Sequence, residues 1–133
     1  PEIMQGKIFL GPQTEPERNY HFSYRERMDE RSDNQRAVRD KRYLYIRNYM
    51  PYVPWGQKLT YLWKMEATRA WEEWHRAGKT DAVTGRWFRE KPPEELYDTW
   101  EDPDNVVNLI DDPKYAEKLI SLIERFKLNR FDE

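Results

Sequence analysis

The stretch that most constrains the fold of this chain is residues 91–113, which read KPPEELYDTWEDPDNVVNLIDDP. It contains the pair Asp-Pro twice, at Asp102-Pro103 and at Asp112-Pro113. An Asp side chain at a helix N-cap accepts a hydrogen bond from a backbone N–H that has no helical partner, and proline in the first helical position has no N–H to leave unpaired. The stretch therefore predicts a short strand (EELYD), a reversal of the chain and the starts of two helices.

Helical spacing of apolar residues supports three helices. The two Asp-Pro starts predict a short helix from Pro103 to about Leu109 and a closing helix from Pro113 to Lys127. A further amphipathic helix is predicted over residues 58–77, because apolar side chains recur there at steps of three and four and Gly78 follows as a natural stop. The apolar residues that share its face are Leu59, Trp63, Ala67, Ala70, Trp71 and Trp74.

Three strands are predicted before this helix. Residues 20–28 alternate weakly and predict a strand, residues 29–34 predict a polar loop, and residues 35–49 predict a β-hairpin that turns at Asp40-Lys41. In the second arm of the hairpin, Leu44 and Ile46 suit a core. The opposite side of that arm carries Tyr43, Tyr45 and Arg47, an aromatic and basic face that could be solvated or could meet another domain.

The order of these elements indicates an α+β class. Strands and helices are segregated along the chain rather than alternating, which is typical of a small antiparallel sheet packed against helices. We expect the sheet to pack against the long C-terminal helix, with the amphipathic helix in addition. The length of 133 residues is enough for one domain. We expect residues 1–19, punctuated by Gly and Pro, to be a connecting segment and residues 20–133 to form the domain.

Composition limits the function classes. The net charge is −2, so the overall field does not favour nucleic acid as a partner. There is no cysteine, which excludes disulfides and cysteine nucleophiles. No run approaches the roughly 18 apolar residues of a membrane span, so we expect no membrane partner. The sequence begins at Pro1, without methionine, and we expect it to start inside a longer product or after processing.

The sequence contains no complete set of residues for catalysis. No serine has a neighbouring base or a Gly-rich elbow, and no glycine loop could cradle a phosphate. Helix capping accounts for the paired aspartates, whose spacing does not match a calcium loop. We therefore predict neither catalytic nor metal-binding residues in this chain.

Arginines are the strongest remaining indication of a binding function. A guanidinium group recognises oxyanions such as carboxylate, phosphate or sulfate with two parallel hydrogen bonds. Arg25 and Arg27 alternate within the first predicted strand and would share one of its faces. The alternative is a solvated charged surface whose ion pairs contribute little free energy.

Three segments together resemble the C-terminal part of a bacterial formylglycine-dependent (type I) sulfatase, of the arylsulfatase or heparan N-sulfatase type. They are YRERMDERSDNQRAVRDKRYLYIRNYMP, the PWGQ turn with its following helix, and KPPEELYDTWEDPDNVVNLIDDPKYAEKL. The resemblance covers residues 20–125 in order. It implies a parent hydrolase with a large N-terminal catalytic domain and a small C-terminal α+β subdomain, periplasmic or secreted.

The resemblance also implies what this chain does not contain. The family makes its formylglycine nucleophile from Cys or Ser in a Cys/Ser-x-Pro-x-Arg motif, and no such motif occurs here. Its calcium ligands belong to the large domain. We therefore expect formylglycine and calcium in the parent and no cofactor in this chain, which alone is not catalytically complete.

The resemblance implies a structural role near the rim of the substrate pocket. The parent would hydrolyse sulfate esters or sulfamates on a sugar, and the partners of this piece would be the catalytic domain and the sulfated substrate. Arg25 and Arg27, with His21 and Arg36, are the expected substrate-binding residues. The alternative is a free-standing module that binds a sulfated glycan or another anionic partner through the aromatic and basic face.

Overall fold

A computed structural model describes residues 6–128 of the chain. Four strands form one antiparallel sheet in the order β1-β2-β3-β4. They are β1 (His21–Met28), β2 (Arg31–Arg39), β3 (Tyr43–Asn48) and β4 (Glu94–Asp98). The helices are α1 (Thr60–Lys64), α2 (Glu66–Arg76) and α3 (Ala116–Leu128). The predicted α+β class, with its antiparallel sheet against a C-terminal helix, is confirmed.

The predicted loop over residues 29–34 is wrong, because β2 already begins at Arg31. Only Asp29 and Glu30 separate β1 from β2, so the two strands form a tight hairpin. Asp29 has a φ of 53°, in the left-handed region that Asp tolerates better than most residues. The predicted second hairpin is present, with β2 and β3 joined through residues 40–42.

The sheet face that holds the core is opposite to the predicted one. Val38, Tyr45 and Leu96 are register partners across β2, β3 and β4, and all three are fully buried. The ring of Tyr45 packs edge-on against Phe126 of α3, with centroids 5.6 Å apart. Its hydroxyl donates to Glu94 Oε1 at 2.5 Å, so the ring is buried while its polar end keeps a partner.

The aromatic and basic face proposed as a free binding surface is therefore covered. Tyr43 of the same face is half-buried and packs against Tyr115, with ring centroids 6.1 Å apart. Arg47, at the edge of this face, is exposed and pairs with Glu94 at 2.9 Å. The ring of Tyr45 is therefore inaccessible to a partner, and the ring of Tyr43 is exposed only in part.

The single helix predicted over residues 58–77 is also wrong, since it is broken at Met65. Met65 has a ψ of 131°, an extended conformation that separates α1 from α2. The guanidinium of Arg69 donates to the carbonyl oxygens of Trp63 and Lys64, at 2.9 and 2.8 Å. These bonds satisfy acceptors at the end of α1, which the break deprives of helical partners.

The start of α1 takes its cap from a distant turn. Leu59 at the N-cap provides no side-chain acceptor. Glu30, in the β1–β2 turn, accepts from the backbone N and the hydroxyl of Thr60, at 2.6 and 2.9 Å. The backbone hydrogen bond from Thr60 is the main cause that lowers the pKa of Glu30 to about 2. These two hydrogen bonds connect the β1–β2 turn to the start of α1.

The helix predicted from Pro103 to Leu109 does not form. The Asp102 carboxylate accepts from the backbone N of Val107 at 2.7 Å. Asn108 Oδ1 accepts from the backbone N of both Leu96 and Ile110, at 2.9 and 3.2 Å. The bond to Asp102 takes a donor that the helix would need, which is how Asp competes with helical structure, and Asn108 is held by β4 instead.

The closing helix is confirmed, together with its cap. A 3₁₀ turn at Pro113–Tyr115 leads directly into α3, and Asp112 Oδ1 accepts from the backbone N of Lys114 at 2.9 Å. Leu122 and Phe126 of α3 are buried against the core face of the sheet.

Replacing Asp112 by Ala is expected to lower the free energy of unfolding by about 1 kcal/mol, because the N–H of Lys114 loses its acceptor. Urea unfolding followed by circular dichroism measures this change. Asp111→Ala is the matched control, since Asp111 is an exposed neighbour outside the cap. Equal effects of the two substitutions would contradict the capping role.

Residues 6–19 contain neither helix nor strand. Within the described residues, no helix has the length and apolar character needed to cross a membrane.

Candidate functional site

The four predicted substrate-binding residues lie on the first hairpin but have different environments. Arg36 donates to Glu26 at 2.5 Å and lies over the ring of Tyr24, 5.6 Å from its centroid. Arg27 is exposed, and its Nε donates to the carbonyl oxygen of Asp29 at 2.6 Å. Both guanidinium groups are thus partly engaged within the hairpin.

Arg25 is half-buried beside a buried ion pair. Its Nε lies 3.9 Å from Asp33 Oδ2. Asp33 in turn accepts from Lys91 Nζ at 2.6 and 2.7 Å, and both of these side chains are almost completely buried. A β-bulge interrupts the register of the hairpin between Arg25 and Arg27. The sequence did not indicate this contact between Arg25 and Asp33.

His21 lies elsewhere, in a shallow depression of mixed charge. The depression has a volume of about 510 Å³ and is lined by Glu17, Arg18, His21, Arg39, Asp40 and Lys41. Arg25, Arg27 and Arg36 do not line it. Of the four predicted residues, His21 alone lines this depression.

A cavity that the sequence did not predict lies on the face of the sheet opposite to α3. Its volume is about 330 Å³. Ile46, Glu95 and Tyr97 form its floor, and they alternate with the buried residues of the core face. Its walls come from the loop after β3, from α2 and from residues 83–105. The aromatic residues of the walls are Trp55, Trp71 and Trp87. Val83 at its margin is 48% exposed, so the cavity opens to solvent there.

Three indole rings shape the cavity. Trp71 and Trp87 are stacked, with ring centroids 5.8 Å apart and planes inclined by 23°. Trp87 also packs directly over Gly56, whose backbone N donates to the carbonyl oxygen of Trp87 at 2.8 Å. A Cβ on Gly56 would lie 1.9 Å from Trp87 Nε1, so the close approach requires glycine.

The floor of the cavity carries a buried carboxylate. Glu95 is 1% exposed and accepts from Asn48 Nδ2 at 2.6 Å and from the hydroxyl of Tyr97. Burial, with the hydrogen bond to Glu95, raises the pKa of Tyr97, which keeps its hydroxyl a donor. The carboxylate oxygens are therefore held in place by neutral donors.

The walls carry polar atoms that lack partners. Among the residues that the structure describes, Trp55 Nε1 and Asn105 Oδ1 are buried atoms without a hydrogen-bond partner. Arg86 donates through one nitrogen to the carbonyl oxygen of Asn105 at 3.0 Å. Buried polar atoms are normally paired, so these two are exceptions in the packing around the cavity.

One sequence signal could have indicated this cavity. Trp55 lies between a proline and Gly56 in PWG, and Trp87 comes two positions after a glycine in GRWF. Glycine beside a large ring is typical of a close packing contact. Sequence alone could not show that the two segments meet.

Residues 6–128 contain no group of three or more His, Asp and Glu side chains that could hold a metal ion.

The fold and the cavity define a small α+β domain with an aromatic-lined pocket. No family model matches the chain. A curated relative, the ulvan-active sulfatase of Formosa agariphila, is 38% identical over 131 residues, which is 98% of this chain. The predicted resemblance to a C-terminal part of a sulfatase is thereby confirmed. The chain spans only 22% of the length of that relative.

A solved structure of a 2-O GAG sulfatase is also similar to the chain. It shares 21% sequence identity and a TM-score of 0.46, covering 89% of this chain and 17% of the other. A similarity of this size is too small to define the fold.

Proposed function

We propose that this chain is the C-terminal part of a longer sulfatase that hydrolyses sulfate esters or sulfamates on a sugar. The observation that carries the proposal is the 38% identity to an ulvan-active sulfatase over nearly the whole chain. Because that relative acts on ulvan, the same substrate is the first to test. The chain itself contributes structure and part of the pocket rim.

The nucleophile and the metal belong to another part of the proposed enzyme. This chain has no cysteine, and none of its serines lies in a Cys/Ser-x-Pro-x-Arg motif. The chain therefore offers no position for a formylglycine, and residues 6–128 contain no cluster of His, Asp and Glu side chains that fits calcium. In the proposed enzyme both groups belong to the catalytic domain that the family places before this segment.

Exposed apolar side chains support packing against such a domain. Phe9 and Leu10 of the leading segment are 80% and 74% exposed. Tyr24, on the edge strand β1, is 78% exposed, and among residues 6–128 no strand pairs with the outer side of β1. Exposed apolar groups and an open sheet edge are features that proteins normally cover. The catalytic domain is the proposed cover.

The complete gene product tests this function. We expect a Cys/Ser-x-Pro-x-Arg motif in frame before Pro1, and we expect the product to release inorganic sulfate from ulvan. A product without the motif, or with the motif but inactive on ulvan and on other sulfated sugars, would overturn the proposal.

Arg25 and Arg27 are proposed to bind the organic part of the anionic substrate, with smaller contributions from His21 and Arg36. Arg27 is exposed and Arg25 half-buried, so both can present guanidinium nitrogens to a ligand. A guanidinium is suited to sulfate and carboxylate groups.

In the complete enzyme, Arg27→Ala is expected to lower kcat/KM by about tenfold, through the loss of one charge-assisted hydrogen bond. Arg25→Ala is expected to lower it as well, although its contact with Asp33 can also affect stability. Steady-state sulfate release and thermal melting separate the two effects. Unchanged kinetics in a stably folded Arg27→Ala enzyme would contradict a binding role.

A further inference from the structure

We propose that His21 and Arg39 form a binding site for one small oxyanion group, either a free anion or a group carried by a sugar. This goes beyond the proposed function, because Arg39 has no role there and the site needs only residues of this chain. The proposal rests on the register of the first hairpin, on the absence of ion pairs at the two side chains and on the pairing of the carboxylates around them.

The two side chains are neighbours on one face of the first hairpin. His21 and Arg39 are register partners of β1 and β2. Directly opposed residues of an antiparallel pair have Cβ atoms about 4.5–5.5 Å apart and share a face of the sheet. Both residues are exposed, and both line the depression of about 510 Å³. An oxyanion in this depression can therefore reach both side chains.

No carboxylate neutralises these two groups. Among residues 6–128, neither His21 nor Arg39 forms an ion pair, although other residues of the depression do. One Arg39 nitrogen donates to the hydroxyl of Thr99 at 3.3 Å, a long bond to an uncharged group. A guanidinium has five N–H donors, so others stay available to a ligand. Like charges directly opposed across two strands are unfavourable, and an anion between them removes that cost.

The two carboxylates of the depression are already paired. Lys41 Nζ lies 2.8 Å from Glu17 Oε2, and Lys118 Nζ lies 2.5 Å from Asp40 Oδ2. Asp40 also accepts from two backbone N–H groups of the β2–β3 connection, at 2.8 and 2.7 Å. The hydrogen bond to Lys41 is the main cause that lowers the pKa of Glu17, and a charged His21 is the smallest. The carboxylates therefore leave the proposed site to an external anion.

The two histidines of the chain give the binding experiment an internal reference. His75 does not line the depression, and its Nδ1 lies 2.7 Å from Thr80 Oγ1. The imidazole NMR signals are assigned with His21→Gln. We expect sodium sulfate to shift the His21 signal saturably at low ionic strength, with a Kd of about 1–50 mM, and to leave the His75 signal in place. Sodium chloride at equal ionic strength is the control for screening.

The pH dependence tests the part played by the imidazole. An imidazole gains its positive charge as the pH falls from about 8 to about 5.5. We therefore expect sulfate to bind about fivefold tighter at the lower pH, and this difference should vanish in His21→Gln. The other charged groups of the depression keep their charges over this range. They are Glu17, Arg18, Arg39, Asp40 and Lys41.

Two variants act in opposite directions. Arg39→Gln removes the guanidinium and is expected to weaken sulfate binding about tenfold. Arg89→Gln is the matched control, since Arg89 is exposed and does not line the depression, and it should bind as the unmodified chain does. Glu17→Gln removes a negative charge and releases Lys41, so we expect binding about threefold tighter. A gain of binding cannot come from a loss of folding.

D-glucose 6-sulfate and D-glucose identify the source of the oxyanion. Binding of both inorganic sulfate and the sulfated sugar, but not of glucose, supports a group carried by a sugar. Binding of inorganic sulfate alone supports a free anion.

The proposal is overturned if sulfate shifts the His21 signal no more than chloride does, which would indicate an adventitious ion only. Parallel shifts of His21 and His75, full binding in a folded Arg39→Gln chain, or weaker binding in Glu17→Gln would each overturn it too. None of these results bears on sulfate release by the complete enzyme, so this proposal and the proposed function fail separately.

Discussion

Lys91→Met is expected to lower the free energy of unfolding by about 3–5 kcal/mol, because it leaves a buried carboxylate without its partner. Lys91 Nζ lies 2.6 and 2.7 Å from the two carboxylate oxygens of Asp33, and both side chains are at most 1% exposed. The nearest other cation is the Nε of Arg25, at 3.9 Å, which compensates only in part. Urea unfolding followed by tryptophan fluorescence measures the loss.

A second substitution distinguishes the charge from the packing. Adding Asp33→Asn to Lys91→Met removes the unpaired charge, and we expect the double variant to be more stable than Lys91→Met alone. Lys79→Met is the surface control, since Lys79 is exposed, and it should change stability by no more than about 0.5 kcal/mol. A double variant as unstable as the sum of the single ones would contradict this account.

Gly56→Ala is expected to lower the free energy of unfolding by about 1–3 kcal/mol, through overpacking against Trp87. The added Cβ would lie 1.9 Å from Trp87 Nε1 and 2.2 Å from its Cδ1, far inside van der Waals contact. The indole must therefore move, and it forms part of the cavity wall. We expect the indole N–H signals of both Trp87 and Trp71 to shift, since the two rings are stacked.

Gly6→Ala is the matched control for this substitution. No atom lies within 4 Å of a Cβ built on Gly6, and the residue is exposed. Its stability should equal that of the unmodified chain. Unchanged stability and unchanged indole signals in Gly56→Ala would contradict this expectation, because they would show that the added methyl group fits without moving Trp87.

The parts of the fold that were predicted correctly depend on short-range chemistry. The strand at residues 94–98, the Asp112 cap and the closing helix each rest on residues that are neighbours in the chain. The stop after α2 at Gly78, with a φ of 69°, is local in the same sense. The helix wrongly predicted after Pro103 shows the limit of such local reasoning. Asn108 bonds to Leu96, which is twelve positions away.

The candidate site was less accessible to prediction. Arg25, Arg27, His21 and Arg36 were chosen from charge and alternation, and their role in substrate binding stays a prediction. The cavity could not be predicted from the sequence, because its walls come from four separate segments between Ile46 and Asn105. The unpaired atoms of Trp55 and Asn105 can be recognised only once their surroundings are known.

The sequence by itself determined the class of the fold, the strand and helix at its C-terminal end and the resemblance to sulfatases. These follow from hydrogen bonds between close neighbours and from the order of residue types along the chain. Only the tertiary structure decided which face of β3 is the core, since Tyr45 is buried by Leu96 and Phe126 rather than by its own neighbours. Burial depends on contacts between segments far apart in the chain, and alternation within one strand is the same whichever face is covered.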